Sequence, residues 1–377
     1  MPVFCHAPWS NIDIHPTGDI SPCCKFIHDH YDDKPLNINK NSLLDYQNSK
    51  TLQIVREEFK QNVWPKGCER CKLEEENNIA SKRQIDADRW QKEYIDYDLN
   101  CTEFITASIA FGNTCNLSCI TCHAYASSHW QPEYKALHNI DVKHNQFYKN
   151  DFVNDILKHS SKLVHLDIPG GEPFLSGIKQ QKELLSKLIQ TNQAKDISIH
   201  YTTNATIWPD NSFWDLWPHF KSIDIQLSID GTGNRFEYIR HPADWSSVLH
   251  HIKQYQYASV KNKWLKLSIS HTVSAYNIFY LPEFLNWCTQ QRLPKPWLCP
   301  VHKPNYMRPG VWPDPARQFI IEHLSSQDQE SQTWANLIQN SHDSQYFELF
   351  KERLYWHDNY RKTDFKSVFP EMAKFIQ

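Results

Sequence analysis

Three cysteines on one short stretch, Cys115, Cys119 and Cys122, are the residues of this sequence best suited to chemistry. They follow the apolar run from Phe104 to Phe111, so they are predicted to lie on a loop that leaves a strand. Cysteine thiolates are the usual ligands of iron–sulfur clusters, and a four-iron cluster normally takes four of them. Three thiolates at this spacing leave one iron open, and an open iron can bind a substrate or a cofactor directly.

A structural zinc site, with His123 as the fourth ligand, is the alternative explanation of this loop. Zinc ligands usually come as C-x2-C pairs rather than as C-x3-C-x2-C on a single loop. The spacing therefore favours an iron–sulfur cluster, and the ends of the neighbouring strands should supply the rest of the site.

The composition argues against several classes of function. The 377 residues carry a formal net charge of -3 with 22% charged residues, which gives no support for binding nucleic acid or an anionic membrane. No stretch reaches the roughly 18 apolar residues of a membrane helix, and the start has no signal-peptide pattern. The eleven cysteines are an odd number in a long chain, unlike a secreted disulfide framework. We therefore predict a soluble cytoplasmic protein with metal-binding cysteines and neither nucleic-acid nor membrane partners.

From about residue 104, apolar runs alternate with helical stretches, a pattern typical of a parallel sheet. Helical stretches are predicted near 145–159, 176–191, 242–258 and 279–291. Six strand–helix units are too few for a closed eight-stranded barrel, so we predict an open partial barrel with functional loops at the carboxyl ends of its strands. The predicted strands are Ile105–Phe111, Leu163–Ile168, Ile197–Thr202, Ile223–Ile229, Leu265–Val273 and Trp297–Val301.

Two flanking segments differ from this pattern. In the first, Ile12 and Ile14 alternate before a turn and Ile20 follows it, which predicts a small β-hairpin. Ser42 is a plausible N-cap of a helix over 41–61, and the charged run 72–91 is also predicted to be helical. The last segment is polar, aromatic and helical. The predicted class is α/β, with a small domain at 1–100, the partial barrel at 101–312 and a helical tail at 313–377.

Small and polar residues follow the second predicted strand in the run Gly170, Gly171, Glu172 and Pro173. Two glycines let the backbone approach a ligand closely, and the Glu172 carboxylate can accept hydrogen bonds from an ammonium group. An ordinary turn between strand and helix would also explain this run.

The third and fourth strands end in comparable residues. Thr203 and Asn204 close the third strand, Ser228 and Asp230 close the fourth, and Arg240 comes soon afterwards. An arginine can hold a carboxylate as a two-pronged fork, and Ser228 or Asp230 could contact a ribose or a carboxylate. Together, at successive strand ends of one sheet, these residues describe a pocket for an amino acid attached to a nucleoside.

The ordered set of motifs resembles the radical S-adenosylmethionine (SAM) superfamily over about residues 104–305. The resemblance implies a partial (β/α)6 barrel with a [4Fe–4S] cluster on the three cysteines and with SAM bound to the open iron. One electron from the cluster then cleaves SAM to methionine and a 5′-deoxyadenosyl radical, which removes a hydrogen atom from the substrate. The cofactor carries the difficult chemistry, and the protein positions it and excludes water.

Carried over by position, the resemblance assigns SAM contacts to individual residues. Glu172 would bind the amino group of SAM, Arg240 its carboxylate, and Ser228 or Asn204 the ribose. One departure concerns Thr121, where the family usually has an aromatic residue that packs on the adenine; Tyr125 or Trp130 could replace it. The cofactor-binding residues predicted in full are Gly170, Gly171, Glu172, Thr203, Asn204, Ser228, Asp230, Arg240 and Tyr125.

A second group of cysteines lies near the start of the chain. Its spacing, with Gly18 between the first two ligands, resembles the cluster-binding half of the SPASM/twitch extension that radical SAM enzymes usually carry after the barrel. The resemblance implies a second [4Fe–4S] cluster with no open iron, and the Gly18 spacing favours Cys23 over Cys24 as a ligand. A zinc ribbon with four cysteines is the alternative. The implied ligands are Cys5, Cys23, Cys68 and Cys71.

Cys299 lies on the sixth predicted strand, where its thiol could donate a hydrogen atom to a substrate radical. A buried core cysteine is the plainer explanation. Arg361 and Lys362 in the tail could meet a substrate anion, but solvated charges explain them more simply.

The function implied by the resemblance is oxidative modification of a ribosomally made peptide, as a cross-link, a thioether or a dehydrogenation. A fully ligated second cluster suits the transfer of an electron, which such reactions require. The alternatives are modification of a small polyol or amino sugar, peptide epimerisation with Cys299 as hydrogen donor, and a non-enzymatic zinc- or cluster-stabilised binding module. An enzyme of this kind also needs a reductase such as flavodoxin or ferredoxin as electron donor.

Overall fold

The computed structural model describes residues 3–76, 80–95, 97–143, 148, 151–341 and 343–376. The chain divides into two compact units. The first unit comprises Met1–Cys115, Lys143–Tyr201 and Pro209–Asp224, and the second comprises Asn116–Val142, Thr202–Trp208 and Ile225–Gln377. The strands are β1 (Asn11–Ile14), β2 (Ile20–Ser21), β3 (Thr106–Ile109), β4 (His165–Ile168), β5 (Ser198–Thr203), β6 (Ser222–Ser228), β7 (Leu265–Val273) and β8 (Trp297–Pro300).

The helices fall into three groups along the chain. Before β3 lie α1 (Ala7–Ser10), α2 (Leu43–Gln47), α3 (Lys50–Lys60), α4 (Glu69–Glu76), α5 (Lys82–Arg89) and α6 (Gln91–Ile95). Between β3 and β8 lie α7 (Gln131–His138), α8 (Phe152–Leu157), α9 (Ile178–Gln190), α10 (Asn211–Leu216), α11 (Gly233–Ile239), α12 (Trp245–Lys261) and α13 (Leu281–Gln290). After β8 lie α14 (Asp314–Ser325), α15 (Gln329–Gln339), α16 (Phe347–Arg361), α17 (Phe365–Val368) and α18 (Pro370–Ala373).

All six strands predicted from the apolar runs are present, as β3 to β8. In β6, Ile223, Ile225 and Leu227 are buried while the residues between them are partly exposed, which is the period of two expected of a pleated strand. The bounds of β7 match the predicted strand at both ends, and the other strands differ by one to two residues at one or both ends. The predicted α/β class, with mostly parallel strands and helices between them, is confirmed.

In the first unit the predicted hairpin is present, because β1 and β2 pair in antiparallel fashion. The sequence did not reveal that β1 also pairs in parallel with β3, with Ile12 opposite Ala107 and Ile14 opposite Ile109. The parallel pairing continues from β3 to β4 and from β4 to β5. The early segment thus extends the same sheet that carries the first predicted strand, and the predicted domain boundaries stay a prediction.

In the second unit β7 and β8 pair in parallel, with Thr272 opposite Cys299. Aromatic residues from the tail pack beside the segment after β7. The ring of Phe350 on α16 lies 5.1 Å from that of Tyr276 and 5.2 Å from that of Trp312. The helical tail predicted from the sequence is confirmed, and it belongs to the core of this unit.

Three helix predictions need correction in detail. The charged run 72–91 is divided among α4, α5 and α6, since Ser81 caps α5, and residues 77–79 lie outside the described residues. The helix predicted over 41–61 is two helices, because Ser49 caps α3 through a bond from the Leu52 amide after Ser42 has capped α2. Of the helix predicted over 145–159, α8 is present, and residues 144–147 and 149–150 lie outside the described residues.

None of the helices in the described part of the chain combines the length and the apolar character that a membrane crossing needs.

Candidate functional site

The four early cysteines belong to the first unit and come from separate segments. Cys5 precedes α1, Cys23 follows β2, Cys68 ends a short 3-10 helix and Cys71 lies on α4. The side chains of Cys5, Cys23 and Cys68 pack against one aromatic cluster. That cluster comprises Trp9, Phe26, Val55, Phe59, Tyr94, Tyr97 and Ile105.

A close contact joins the segment of Cys23 to that of Cys68. The Ile27 amide donates to the carbonyl of Gly67 (3.0 Å). A Cβ on Gly67 would overlap the ring of Phe26, so only glycine fits there. The turn that carries Cys68 is thereby fixed next to the turn that carries Cys23.

The electrostatics show that these four thiols are near one another. The pKa of Cys5 is raised to about 12, mainly by burial, with the thiol of Cys71 acting in the same direction. Burial also raises the pKa of Cys68, with Cys5 and Cys71 adding to the shift. The pKa of Cys23 is raised by burial and then by Cys24, Cys5 and Cys68. Burial and the mutual repulsion of their charges therefore keep these thiols protonated until a metal or cluster binds them.

The choice between Cys23 and Cys24 follows from their surroundings. Cys24 is exposed, whereas Cys23 is partly buried and packs against the aromatic cluster. Although the residue is exposed, desolvation by the protein around its thiol raises the pKa of Cys24, followed by the carboxylate of Asp13, whereas at Cys23 other thiols follow desolvation. These surroundings favour Cys23 as the ligand, in agreement with the sequence spacing.

The placement of the thiols also bears on the zinc alternative. Four sulfurs around one Zn²⁺, at bond lengths of about 2.3 Å, lie about 4 Å apart. Within the described residues, no group of three or more His, Cys, Asp or Glu side chains is placed to hold a single metal ion. A four-iron cluster takes each thiolate on a different iron, so its ligands stand farther apart. The choice between a [4Fe–4S] cluster and a zinc ion on these four thiols stays a prediction.

The second unit holds Cys119 and Cys122 on a loop that is pinned to the end of α11. The Ser118 amide donates to the carbonyl of His241 (2.7 Å), and the Ile120 amide donates to that of Ile239 (2.7 Å). The Cys122 amide donates to the carbonyl of Cys119 (3.0 Å) and closes a turn between the two thiols.

Arg240 lies directly beside the buried thiol of Cys119. Its Nη1 is 3.9 Å from Cys119 Sγ, and its Nη2 is 2.8 Å from Oδ2 of Asp230. Burial raises the pKa of Cys119 to about 12, although the charge of Arg240 acts in the opposite direction and favours the thiolate. The arrangement suits a metal-bound thiolate. The predicted role of Arg240 toward the SAM carboxylate stays a prediction.

Asp230 is fully buried at the end of β6 and has several partners. Its Oδ1 accepts from the Thr272 amide (2.7 Å), and its carbonyl accepts from Nδ2 of Asn277 (3.0 Å). These bonds and the ion pair with Arg240 hold the carboxylate in one position. The sequence predicts a ribose or a carboxylate contact for Asp230 and does not reveal this ion pair.

A polar network in the second unit joins the cysteine motif to the end of β5. Asn204 Nδ2 donates to Oδ1 of Asn116 (3.1 Å), and Asn116 Nδ2 donates to Oγ1 of Thr206 (2.8 Å). Oδ1 of Asn204 accepts from the Thr206 amide (2.9 Å), and Oγ1 of Thr203 accepts from the Ala205 amide (3.1 Å). Asn116, inside the cysteine motif, was missed from the sequence, although its position between two predicted ligands could have identified it.

The Gly170–Pro173 run lies in the first unit, against the segment that leads to Cys115. The Glu172 amide donates to the carbonyl of Thr114 (2.8 Å). Gly171 has a φ of 53°, and a Cβ there would overlap the same carbonyl oxygen; a Cβ on Gly170 would overlap the side chain of Ala110. The close approaches that require these glycines are therefore to the chain's own atoms, the Thr114 carbonyl at Gly171 and the Ala110 side chain at Gly170. Glu172 is fully buried, and its SAM contact stays a prediction.

The remaining predicted residues lie in the second unit. Ser228 contacts Ser270 through their hydroxyls (3.3 Å). Tyr125 is 44% exposed, with its ring centre 6.0 Å from that of Tyr134. Cys299 is partly buried on β8. Their roles in adenine packing, ribose binding and hydrogen donation stay predictions.

The prediction that Arg361 is a solvated charge is wrong. Its side chain is 2% exposed, and its Nε lies 2.9 Å from Oε1 of Glu133 on α7. His357 Nδ1 donates to the same oxygen (2.7 Å). Since Glu133 and Arg361 are 228 residues apart in sequence, no local pattern could have revealed the pair.

Two family comparisons bear on these cysteine groups. Residues 5–72 match SPASM, an iron–sulfur cluster-binding domain, and residues 106–243 match a 4Fe-4S single cluster domain. The matches fall on the two cysteine groups and confirm the prediction of two iron–sulfur cluster-binding regions, the first of SPASM type. No curated protein gives a significant match.

Solved structures with a partly similar fold were also found. Native anSMEcpe with bound AdoMet is 18% identical, with a TM-score of 0.41, over 53% of this chain and 53% of that chain. Streptococcus suis SuiB bound to precursor peptide SuiA is 15% identical, with a TM-score of 0.38, over 73% of this chain and 58% of that chain. The similarity to anSMEcpe thus spans about half of each chain.

Proposed function

We propose, from the resemblance to radical SAM enzymes with a SPASM-type domain, that this chain oxidatively modifies a ribosomally made peptide. The proposal rests above all on the two separate cysteine groups, each inside a matched iron–sulfur domain. One group offers three thiols and the other offers four. A group with three leaves an iron open for SAM, and a group with four does not.

In the proposed enzyme Cys115, Cys119 and Cys122 hold the open cluster. With SAM bound, such a cluster would supply a 5′-deoxyadenosyl radical able to take a hydrogen atom from the substrate. The protein's own part is to bind, orient and exclude water. Arg240 places a fixed positive charge beside Cys119, and Asp230 balances that charge so that the guanidinium stays buried.

Cys5, Cys23, Cys68 and Cys71 are proposed to hold the second cluster. With every iron ligated, this cluster is suited to accept an electron from an oxidised substrate rather than to bind the substrate. An oxidative outcome, in which the substrate loses a hydrogen atom and then an electron and a proton, follows from that arrangement. A small redox protein such as flavodoxin or ferredoxin would supply the reducing electron.

Iron content tests the assignment of the two clusters. Anaerobically prepared protein should hold about eight irons per chain, as two four-iron clusters. Replacing Cys115, Cys119 and Cys122 together with alanine should remove about half of the iron and all formation of 5′-deoxyadenosine. Cys101→Ser, at a cysteine outside both groups, should leave both values unchanged. Preparations that contain zinc and no iron, or cleavage that survives the triple replacement, would refute the proposal.

The substrate class needs a separate experiment. Peptides encoded beside the gene, synthesised with deuterium at candidate carbons, should transfer deuterium to 5′-deoxyadenosine. The same peptides without the label should lose two mass units per modification, one hydrogen atom and one proton. Transfer from a polyol or an amino sugar instead would favour the alternative substrate. A product of unchanged mass, abolished by Cys299→Ala while SAM cleavage persists, would indicate epimerisation.

A further inference from the structure

We propose that α16 acts as a clamp on the open-cluster loop and that Arg361 and Glu133 set the reduction potential of that cluster with opposite signs. The inference rests on the proposed function, because it takes Cys119 as a cluster ligand. Arg361 at the end of α16 and Glu133 on α7 act as positioning residues for the loop.

Arg361 holds the backbone of the loop directly. Its Nη2 donates to the carbonyl of Ser118 (2.7 Å), the residue before the buried cysteine. Its Nε and Nη2 also donate to the two carboxylate oxygens of Glu133, at 2.9 and 3.0 Å. The fork of a guanidinium suits this double task, since it offers five donors in one plane.

Trp130 holds the other side of the same cysteine. Its indole Nε1 donates to the carbonyl of Cys119 (2.7 Å), and the guanidinium carbon of Arg361 lies 5.2 Å from the centre of its ring. The carbonyl of Ser118 thus accepts from Arg361, and that of Cys119 accepts from Trp130. These two side chains stack on each other. A shift of α16 would therefore shift the backbone on both sides of the Cys119 Cα.

The charges of this group balance one another. Burial opposes the ionisation of Glu133, but bonds from His357 and Arg361 outweigh it and lower the pKa of that carboxyl. Burial lowers the pKa of His357, so the imidazole is neutral. The group therefore carries one negative and one positive charge, and the positive charge is bonded to the cluster loop.

Charge of either sign near a cluster changes the stability of its reduced form, which carries one more electron. The guanidinium of Arg361 favours reduction, and the carboxylate of Glu133 opposes it. Removing Arg361 should therefore make the potential more negative, and removing the charge of Glu133 should make it less negative. A role in packing alone predicts the same sign for both changes, since both would loosen the loop.

The test is the midpoint potential of the open cluster. It is measured by electron paramagnetic resonance on the full chain with both clusters present. At a fixed solution potential, Arg361→Gln should lower the ratio of reduced to oxidised cluster about tenfold, equal to about 59 mV for one electron. Glu133→Gln should raise the ratio of reduced to oxidised cluster. Arg361→Lys keeps the positive charge, so its ratio should lie closer to wild type than that of Arg361→Gln. The signal of the second cluster should not move.

Two further variants separate the charge effect from a loss of folding. Lys362→Gln removes a neighbouring but exposed charge and should leave the potential unchanged. The double variant Glu133→Gln/Arg361→Gln leaves no unpaired buried charge, and its potential should return close to that of wild type. Shifts of the same sign in both single variants, or none in either, would overturn the inference. If wild type shows no redox-active cluster on this loop, the proposed function fails as well.

Discussion

Replacing Gly171 with alanine tests whether the Gly170–Pro173 run positions the segment before Cys115. Gly171 has a φ of 53°, and a Cβ there would overlap the carbonyl oxygen of Thr114 and lie 3.0 Å from its carbonyl carbon. The chain offers a matched control, since Gly233 has a φ of 55° with nothing within 4 Å of an added Cβ. Both substitutions meet the same backbone strain, and only Gly171→Ala also clashes with the Thr114 carbonyl.

The expected size of each effect follows from these differences. A side chain in the left-handed region costs about 1–2 kcal/mol, and alanine recovers about 0.4–1 kcal/mol by restricting the unfolded chain. Gly233→Ala should therefore cost between about 0 and 1.5 kcal/mol. The overlap at Gly171 adds about 1–3 kcal/mol of overpacking. It also disturbs the bond from the Glu172 amide to Thr114, worth about 0.5–1.5 kcal/mol, so the total should be about 1.5–6 kcal/mol.

The assay is urea denaturation followed by tryptophan fluorescence, with iron analysis of the same preparations. Because Thr114 precedes Cys115, the displaced backbone should reduce the iron of the open cluster while that of the second cluster is retained. Equal losses of stability in the two glycine variants, or an unchanged iron content in Gly171→Ala, would show that this contact does not position the cysteine.

Further predictions concern the ligands, a buried ion pair and a buried histidine. Cys23→Ser should lose about half of the iron and Cys24→Ser none, as shown by iron analysis; the reverse result would reassign the ligand. Asp230→Ala leaves the charge of Arg240 buried alone and should lower the free energy of unfolding by about 3–5 kcal/mol in urea, so a loss below about 1 kcal/mol would contradict the ion pair. Burial lowers the pKa of His271 to about 4. Because an unfolded chain takes up this proton near pH 6.5 and the native chain only near 4, stability should fall by about 3 kcal/mol as pH drops through that window. In His271→Gln the free energy of unfolding should fall less between pH 6.5 and 4. Urea titrations that show the same pH dependence in the variant and in wild type would contradict this role of His271.

The fold was largely predictable because its strands alternate in burial. Ile223, Ile225 and Leu227 mark β6, and the apolar residues of β7 mark its full extent. Parallel pairing of β1 with β3 could not be predicted in the same way. The short run of Ile12 and Ile14 is compatible with any neighbouring strand, and its pattern only specifies which face is buried.

The candidate site was predictable where chemistry dictates the residue type. Cysteine spacing identified both thiol groups, since few other functions need several cysteines so close together. The contacts that fix these groups were not predictable, because they join distant segments. Asn116 meets Asn204 across 88 residues. Asparagine fits many surroundings, so neither residue alone signals the other.

Arg240 illustrates that a buried arginine requires a counter-charge within the protein. The permanent charge and the fork that suit Arg240 to a carboxylate ligand also make the side chain costly to bury without a counter-charge. A guanidinium placed in a pocket before its ligand arrives must therefore have a carboxylate of its own. Asp230, ten residues earlier at the end of β6, was already a predicted site residue, but it was assigned to the ligand rather than to the arginine. The 2.8 Å between Arg240 Nη2 and Asp230 Oδ2 shows that Asp230 is the counter-charge that buries the guanidinium.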